Sequence, residues 1–591
     1  MTNPPDRATD LASPSPTTEA EPTLAVSQVD ADRQLLVDAR QRGPFQLLGA
    51  FVKLSGPGWL QSAITLGGGS LAGSLYLGVL AGYDMMWWQP MAMILGVIML
   101  SAIGYVTLST GERPFQAIRQ HVNPVLAWGW VIATIMANMV WCMPQFGLGT
   151  ASLRQNLFPG LVGEASGLSP FSGELACVIG LFLIAFTVIW CYDSGGWGIK
   201  LFEGILKAMV GVVVLCFFGV VVKLSLSGNG LEWAAILNGF IPRPHLFFTP
   251  AEGYSEILAQ AGPAAEYWST QIVNMQQQVM ITAAATAVGI NMTFLLPYSM
   301  LARGWDKEFR GLAIFDLGTA LFIPYLLATS CVVIAAINQF HVQPAPGLVD
   351  GTTVASPNLV NGYKDILNKR LIAIEGKDAF EALPAENQAA AREALPQAEK
   401  ELAAMLVQRD AFDLANSLSA LVGSGTAQYV FGIGVLGMAL STIIILMLIN
   451  GFAISEIFNL PNEGTPRRIG ALIAGLSGAL GPFVFKGDAK FWLTVPTSMF
   501  GMVLLPIAYF TFFALFNSRS LMGDLRPKGL KLIIWNILML IAATIATMLC
   551  LWTIAISNAP VFGFTALGVF ILLAVIVHFL RTPSPSSSTQ T

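Results

Sequence analysis

The stretch "ITLGGGSLAGS", residues 64–74, places three successive glycines, Gly67, Gly68 and Gly69, inside a long apolar run. Glycine in a helix interior costs about 1 kcal/mol relative to alanine, so three in a row should interrupt a helix. The flanking residues are too apolar for a surface loop. Interrupted backbone at membrane depth is tolerated only where it is buried in protein or lines a cavity. The stretch therefore predicts a broken membrane-spanning helix.

The composition of the whole chain supports a membrane protein. Of the 591 residues, 54% are hydrophobic and only 11% are charged, against roughly 25% charged in soluble domains. Many windows of about 20 residues carry no charge, which is the length that spans a bilayer as a helix. We predict an all-α polytopic protein, because helices satisfy their own backbone in lipid. Twelve spans are expected, at residues 54–82, 86–109, 124–150, 174–192, 201–226, 279–302, 311–338, 427–454, 468–485, 492–516, 530–556 and 560–580.

The polar segments between these spans predict the topology. With both termini cytoplasmic, in a plasma or inner membrane, the basic links follow the positive-inside rule; they hold Arg113, Arg119, Arg303, Lys307, Arg310, Arg467, Arg468, Arg519, Arg526, Lys528 and Lys531. Residues 1–43 and 581–591 are predicted to be disordered tails. Residues 44–338 hold spans 1–7, and residues 426–580 hold spans 8–12. Residues 339–425 are predicted to form a polar helical insert, extracellular or periplasmic, that ends in a helix on the membrane surface.

A second irregular stretch, "AVGINMTFLLPYSML", lies in span 6 at residues 287–301. Its Gly289, Asn291, Thr293 and Pro297 interrupt a helix five spans after the first break. Two discontinuous helices in equivalent places of two five-helix units are typical of an inverted-repeat transporter, whose freed backbone groups hold substrate near the midplane. The alternative is that the glycines only permit close helix packing.

Several further motifs resemble one known family. They are "GPGWLQSAITLGGGS" (56–70), "LSTGERPFQAI" (108–118), "GIKLFEGI" (198–205), "DAFDLANSL" (410–418), "INGFAISEIFNLPNEGTPRR" (449–468) and "LLPIAYFTFFALFNSRSLMG" (504–523). In order and spacing they resemble the natural resistance-associated macrophage protein (NRAMP) transporters. The resemblance implies a LeuT-type 5+5 inverted repeat of ten core helices plus two. It also implies secondary transport of divalent metal cations by alternating access, driven by protons in that family.

The metal ligands implied by the resemblance are missing from this chain. The family uses Asp and Asn in the first break, with Met and a backbone carbonyl in the sixth helix. Alignment of the motifs puts Gly67 and Ser70 at the first pair, Asn291 at the Met, and the carbonyl near Val288; Thr293 falls at a family His. The substrate-binding candidates are Gly67, Gly68, Gly69, Ser70, Val288, Asn291 and Thr293, with Ser70 and Asn291 as metal ligands. Neutral oxygens would hold a mostly hydrated, Mg²⁺-like ion weakly.

The proton route implied by the resemblance is also missing. Span 3 offers the neutral Asn138 and Gln145 as possible pathway residues, and span 7 offers Asp316. Intramembrane ionisable groups usually mark ion relays. Asp316 is expected to be an entrance residue or a partner of Arg310, and Glu203 could act from the cytoplasmic side. Transport is therefore expected not to be obligatorily coupled to protons.

Two other functions remain open on the sequence alone. The positive end of the half-helix after Gly69 could bind a small organic solute such as an amino acid or organic acid. The chain could also be a non-transporting scaffold or sensor that works through its insert. We expect no enzymatic activity, no cofactor and no nucleic-acid partner, so the partners are the lipid bilayer and a small ion or solute.

Overall fold

The fold is described by a computed structural model that covers residues 28–192, 196–226, 230–349, 355, 357–409, 413, 424–461, 464–484 and 493–580. Every regular element in these residues is a helix. Ten helices are long and apolar enough to cross a membrane, and the bent pair Pro57–Thr65 and Gly68–Met85 makes an eleventh. The predicted all-α polytopic class is confirmed.

The spans keep the numbers of the sequence prediction, with spans 1 and 6 each divided into halves a and b. Their helices are Pro57–Thr65 (1a), Gly68–Ala81 (1b), Trp88–Thr110 (2), Pro124–Ala151 (3), Pro170–Tyr192 (4), Gly196–Ser225 (5), Ala265–Ala287 (6a), Ile290–Ala302 (6b), Arg310–Asp316 continued by Ile323–Phe340 (7), Ser424–Ile457 (8), Thr465–Val484 (9), Thr494–Asn517 (10), Leu530–Ala555 (11) and Pro560–Leu580 (12). Short helices in the links are Pro114–His121, Pro159–Val162, Trp233–Asn238, Ser255–Gln260 and Arg519–Met522.

Span 6 starts at Ala265, well before the predicted residue 279. The prediction missed its first turns because they are polar. Gln276 is only 1% exposed, and its side chain is fully used. Its Nε2 donates to the carbonyls of Leu246 and Thr249, both at 3.0 Å, while its Oε1 accepts from the Ala251 N–H at 2.9 Å. The segment before span 6 therefore supplies the hydrogen bonds that a buried polar side chain in this helix needs. Hydropathy alone does not identify such a helix.

Span 9, Thr465–Val484, is not among the helices apolar enough to cross a membrane on composition alone. Its first turn carries Arg467 and Arg468. Arg467 is 4% exposed, and its guanidinium lies 4.7 Å from the Tyr192 ring and 5.4 Å from the Phe452 ring. Cation–π contacts of this kind stabilise a desolvated guanidinium.

Burial distinguishes the central spans from the peripheral ones. The apolar window of span 6 is entirely buried inside the protein, whereas that of span 12 is entirely unburied. Span 1b packs on spans 6a and 7, and span 3 packs on spans 8 and 9. The two broken helices therefore lie in the protein interior, with span 12 at the lipid-facing edge.

Part of the predicted N-terminal tail is ordered, which corrects the boundary at residue 43. Gln28–Arg42 forms a helix (α1), and Pro44–Leu54 forms a second helix (α2). α1 buries Leu36, at 1% exposure, and Arg33 and Arg40 form ion pairs with Asp306 and Glu308 at 3.1 and 2.9 Å. The many charged residues of this segment led to the prediction of a disordered tail, although the helix buries Leu36. Residues 1–27 and 581–591 lie outside the described residues.

The segment predicted as the insert contains the helices Pro357–Glu375, Lys377–Glu381, Ala385–Glu393 and Gln397–Leu406. Its last helix is tied to span 6a, because Trp268 Nε1 donates to Glu399 Oε2 at 2.9 Å. Arg370 pairs with the same carboxylate. Of the predicted membrane-surface helix at 410–418, all but Asp413 lies outside the described residues.

Candidate functional site

The first break is narrow and is created by close helix contacts. Span 1a ends at Thr65 and span 1b begins at Gly68, so only Leu66 and Gly67 are non-helical, and the two halves are bent by 54°. Gly68 and Gly69 form the first turn of span 1b, which narrows the predicted irregular segment. A Cβ on Gly68 would lie 2.8 Å from Leu148 Cδ2, and one on Gly69 would lie 2.6 Å from Thr286 Cγ2. The glycines thus permit both a break and close packing.

The second break is equally narrow. Span 6a ends at Ala287 and span 6b begins at Ile290, which leaves Val288 and Gly289 extended. A Cβ on Gly289 would lie 2.6 Å from Trp141 Cη2 of span 3. Asn291 and Thr293 are therefore helical, in contrast to the prediction of an irregular segment through Thr293.

A small cavity lies at the first break. Its volume is about 20 Å³, enough for roughly one water molecule. Of the residues predicted from the sequence, Gly67, Gly69, Ser70 and Gln145 line it. Gly68 is placed beside it, because its N–H donates to Gln145 Oε1 at 3.0 Å.

Three predicted binding residues do not line this cavity. The Val288 side chain packs against Gly96 of span 2. Thr293 Oγ1 accepts from Trp130 Nε1 at 3.0 Å, so its hydroxyl is used in packing span 6b on span 3. Asn291 Oδ1 accepts from the Met292 N–H at 2.9 Å. The structure therefore places these side chains around span 6b, away from the first break.

Met292, in the first turn of span 6b, contacts the end of span 1a. Thr65 Oγ1, at the end of span 1a, donates to Met292 Sδ at 3.2 Å. The motif alignment gave the sulfur ligand's position to Asn291, one residue earlier. A thioether is a soft donor, so the junction of the two breaks does contain one soft atom, although Met292 does not line the cavity.

The sequence analysis also missed the hydroxyl groups around the cavity. They belong to spans 1a, 6a, 8 and 10 and are Thr65, Thr286, Thr442, Thr494, Thr497 and Ser498. Serine and threonine are common at interfaces between membrane helices, so hydropathy and spacing gave no signal for them. None of the described residues that line the cavity is Asp, Glu, His or Cys, and the described chain holds no group of three or more such residues placed to bind a metal.

Buried amides without partners lie in the helices that meet at the two breaks. Asn138 is 0% exposed, and neither of its side-chain polar atoms has a hydrogen-bond partner among the described residues. The same holds for both polar atoms of Gln61 in span 1a and for Nδ2 of Asn291. An unsatisfied buried polar group costs about 1–3 kcal/mol.

This cost predicts opposite effects for two matched asparagine substitutions. Asn138→Leu should raise the thermal unfolding midpoint of the purified protein, because it removes an unbonded amide. Asn450→Leu should lower it, because Asn450 is also 0% exposed but donates to the Gly470 carbonyl at 2.8 Å. Thermal unfolding in detergent measures both, and equal losses would show that the Asn138 amide is bonded after all.

The acids of the predicted pathway lie at the far end of span 1a from the break. Asp316 is 1% exposed and accepts from the Ser55 hydroxyl and from the N–H groups of Gly56 and Gly58. It therefore caps span 1a, and it is not the partner of Arg310. Arg310 instead donates to Ser109 Oγ at 3.1 Å and stacks 4.8 Å from the Tyr105 ring.

Two further acids are held in ion pairs. Glu203 pairs with Arg303, at the start of the link between spans 6 and 7. Glu456, which the sequence analysis did not consider, is 1% exposed near the end of span 8 and lies 3.5 Å from Arg113 Nη1. Neither carboxylate lines the cavity.

Comparison with known families decides the identity of this fold. The model of the family described as natural resistance-associated macrophage protein-like (Nramp) matches residues 58–356 and 392–555, which is most of the chain. The chain belongs to the Nramp family. The resemblance read from the sequence motifs is thereby confirmed.

The curated relatives of this Nramp protein are distant. It is 23% identical over 195 residues to the divalent metal cation transporter MntH of Brucella suis, covering 33% of this chain and 38% of that protein. It is 24% identical over 164 residues to the metal transporter Nramp2 of Populus trichocarpa, covering 28% of each chain. Each match thus spans less than two-fifths of the relative.

Solved structures resemble this Nramp protein over nearly its whole length. Two crystal structures of variants of the Eremococcus coleocola manganese transporter superpose with a TM-score of 0.58, at 14% identity, over 90% of this chain and 94% of theirs. A third structure of that transporter, in complex with an aromatic bis-isothiourea compound, superposes with a TM-score of 0.58 at 13% identity. The predicted LeuT-type fold is confirmed.

Proposed function

We propose that this Nramp protein is a secondary transporter that moves a divalent cation by alternating access and binds it with most of its water shell. The observation that carries this proposal is the cavity at the first break, whose described lining offers only neutral groups. The names of the relatives, as divalent cation, manganese and metal transporters, support a cation as substrate.

Charge explains why the ion should keep its water. Removing a divalent ion from water costs far more than neutral oxygens return in a low-dielectric site. Mg²⁺ usually keeps several waters when it binds proteins, and its ligands are hard oxygen atoms, including those of carbonyls and water. Ser70, Gln145 and the threonines of spans 8 and 10 offer such oxygens. Met292 adds a soft donor at the junction.

The narrow cavity indicates a closed conformation. A volume of about 20 Å³ cannot hold an ion with its water shell, so the shell must enter when a half-helix swings. The 54° bend at Leu66–Gly67 provides a hinge for span 1a. In transporters of this architecture, such movements expose a fixed site to each side in turn.

The orientation in the membrane is part of the same proposal. With both termini cytoplasmic, in a plasma or inner membrane, the basic links between spans 2 and 3, 6 and 7, 8 and 9, and 10 and 11 face the cytoplasm, as the positive-inside rule requires. The insert then lies outside. Its ties to span 6a through Trp268 and Glu399 would place it over the outer end of that span.

Neither alternative gains support from the site. An organic acid at the N-terminus of span 1b would need free N–H groups and space, but the Gly68 N–H is already bonded to Gln145. The cavity would also have to enlarge many times. A non-transporting scaffold or sensor that works through the insert does not account for two buried helix breaks beside amides that lack partners among the described residues.

The first test of this function is uptake and affinity. Proteoliposomes loaded with a divalent-ion dye should accumulate Mg²⁺ and Mn²⁺ above protein-free liposomes. Calorimetry should give weak binding of both ions, within about tenfold of each other, because no carboxylate lines the cavity. Gly69→Val, whose side chain would collide with Thr286, is the control and should abolish uptake. Tight, selective Mn²⁺ binding would contradict the proposed site.

The second test is proton coupling. Substrate-driven uptake should not acidify liposomes that contain a pH dye, because none of the described cavity residues titrates in the accessible pH range. Asp316 and Glu203 are engaged with span 1a and Arg303. Robust acidification that persists in Asp316→Asn and Glu203→Gln would require a proton route elsewhere in the protein.

A further inference from the structure

One face of α2 is apolar and exposed. The side chains of Phe45, Leu48 and Val52 are 84%, 48% and 65% exposed. Their spacing of three and four residues puts them on one side of the helix. Three large apolar side chains together on a surface helix mark a contact with an apolar partner.

The orientation of this face is set by packing on the other side of α2. Ala50 is 5% exposed, and the Phe51 ring lies 5.3 Å from the ring of Phe315 in span 7. α1 packs along α2 after a turn at Gly43, whose φ of +112° is one that glycine adopts readily. The apolar face therefore points away from the protein.

The two helices have opposite characters. α1 exposes polar side chains such as Gln34 and Gln41 and is fixed by Arg33 and Arg40 to the acidic link at Asp306 and Glu308. Such a helix belongs in water. α2 carries the apolar face, so the pair has one water-facing and one apolar side, as expected at a membrane surface.

The apolar face adjoins the lipid-facing surface of the spans. Only Ser55 and Gly56 separate α2 from span 1a. Ile314, which is 39% exposed, lies in the first turns of span 7 next to Phe315, the contact of α2. Exposed cations flank α2 in the chain: Arg42 precedes it and Lys53 lies in its last turn. Cations beside an apolar helix face match the phosphate layer of an anionic leaflet.

We propose that α2 lies in the interface of the inner leaflet, with Phe45, Leu48 and Val52 among the acyl chains and Lys53 at the lipid phosphates. α2 is then an amphipathic anchor that joins the bilayer surface to half-helix 1a through Ser55 and Gly56. The contact surface follows from burial and charge and does not depend on which solute is transported, whereas its assignment to the inner leaflet rests on the proposed orientation.

Spin-label accessibility tests the anchor. Single labels at positions 45, 48 and 52 are compared with labels at positions 34 and 41 of α1. The background is the full chain with its native cysteines replaced, in vesicles of phosphatidylethanolamine and phosphatidylglycerol. The α2 positions should be accessible to oxygen and protected from a water-soluble nickel complex, with an oxygen-to-nickel ratio several-fold above that of the α1 positions.

Two outcomes overturn the proposal. Nickel accessibility at 45, 48 and 52 equal to that at 34 and 41 would place α2 in water. Protection from both reagents would show that protein covers the face. If the cysteine-free chain does not fold, a photocrosslinking amino acid at position 48 of the native chain gives the same decision: lipid adducts support the anchor, and adducts only to protein or water refute it.

Discussion

Gly67→Asp combined with Thr442→Ala is expected to raise Mn²⁺ affinity about 100-fold or more. Thr442→Ala is needed because a Cβ on Gly67 would collide with the Thr442 hydroxyl. A carboxylate about 4 Å from a divalent ion gains about 8 kcal/mol at an effective dielectric constant of 20. If desolvation offsets most of this, about 3 kcal/mol remains, which corresponds to two orders of magnitude. Calorimetric titration with Mn²⁺ and Mg²⁺ measures the change.

Gly67→Asn with the same Thr442→Ala change is the matched control, since it has nearly the same shape without the charge. Its Mn²⁺ affinity should stay within about tenfold of the wild type, because a neutral amide returns little of the dehydration cost. If the aspartate variant binds no more tightly than the asparagine variant, position 67 does not face the substrate. The proposed site at the first break would then be wrong.

The fold was largely predictable because bilayer thickness imposes a length on each apolar helix. The failures occur where polar groups are satisfied by contacts distant in sequence. Gln276 is compatible with a buried helix only because the carbonyls of Leu246 and Thr249 accept its N–H groups. α1 is rich in charged residues of both signs. It is ordered by the burial of Leu36 and by ion pairs with a link more than 260 residues away. A hydropathy window contains none of this information.

Of the residues that line the candidate site, the sequence indicated mainly those at the first break. The glycine run was recognisable because glycine destabilises a helix interior. Gly67, Gly69 and Ser70 line the cavity. In span 6 the motif comparison named Asn291 and did not consider its neighbour Met292, because motif spacing alone does not give the rotation of a helix. The rotation of span 6b puts the Met292 sulfur on Thr65 and leaves Asn291 elsewhere.

The distribution of charge explains how such a site can exist without acids. The acids that the described residues hold near membrane depth lie toward the helix ends and are engaged: Asp316 with span 1a, Glu203 with Arg303, and Glu456 with Arg113. These contacts lie around the end of span 1a and in the links that carry Arg113 and Arg303. The acids are therefore engaged in contacts that hold helix ends, while the described lining of the cavity is neutral.

Asp316→Ala is expected to destabilise the protein by about 3 kcal/mol or more. The carboxylate accepts from the Ser55 hydroxyl and from the N–H groups of Gly56 and Gly58, and each group left unpaired and buried costs about 1–3 kcal/mol. Asp316→Asn should cost less, because one oxygen remains as an acceptor. The thermal unfolding midpoint in detergent reports the loss. A cysteine at Gln61, 0% exposed in the wild type, should react faster with a membrane-impermeant maleimide once span 1a is released.

Arg310 provides the matched control for this cap. The sequence suggested that Asp316 is an entrance residue or a partner of Arg310, but Arg310 contacts Ser109 and Tyr105. In a double-mutant cycle, Asp316→Asn and Arg310→Gln should therefore add within about 0.5 kcal/mol, as independent sites do. Asp316→Ala and Ser55→Ala should show a coupling of about 1 kcal/mol or more, because they remove the two ends of one hydrogen bond. Coupling to Arg310 with none to Ser55 would mean that Asp316 interacts with the link between spans 6 and 7. The start of span 1a would then be capped by some other contact.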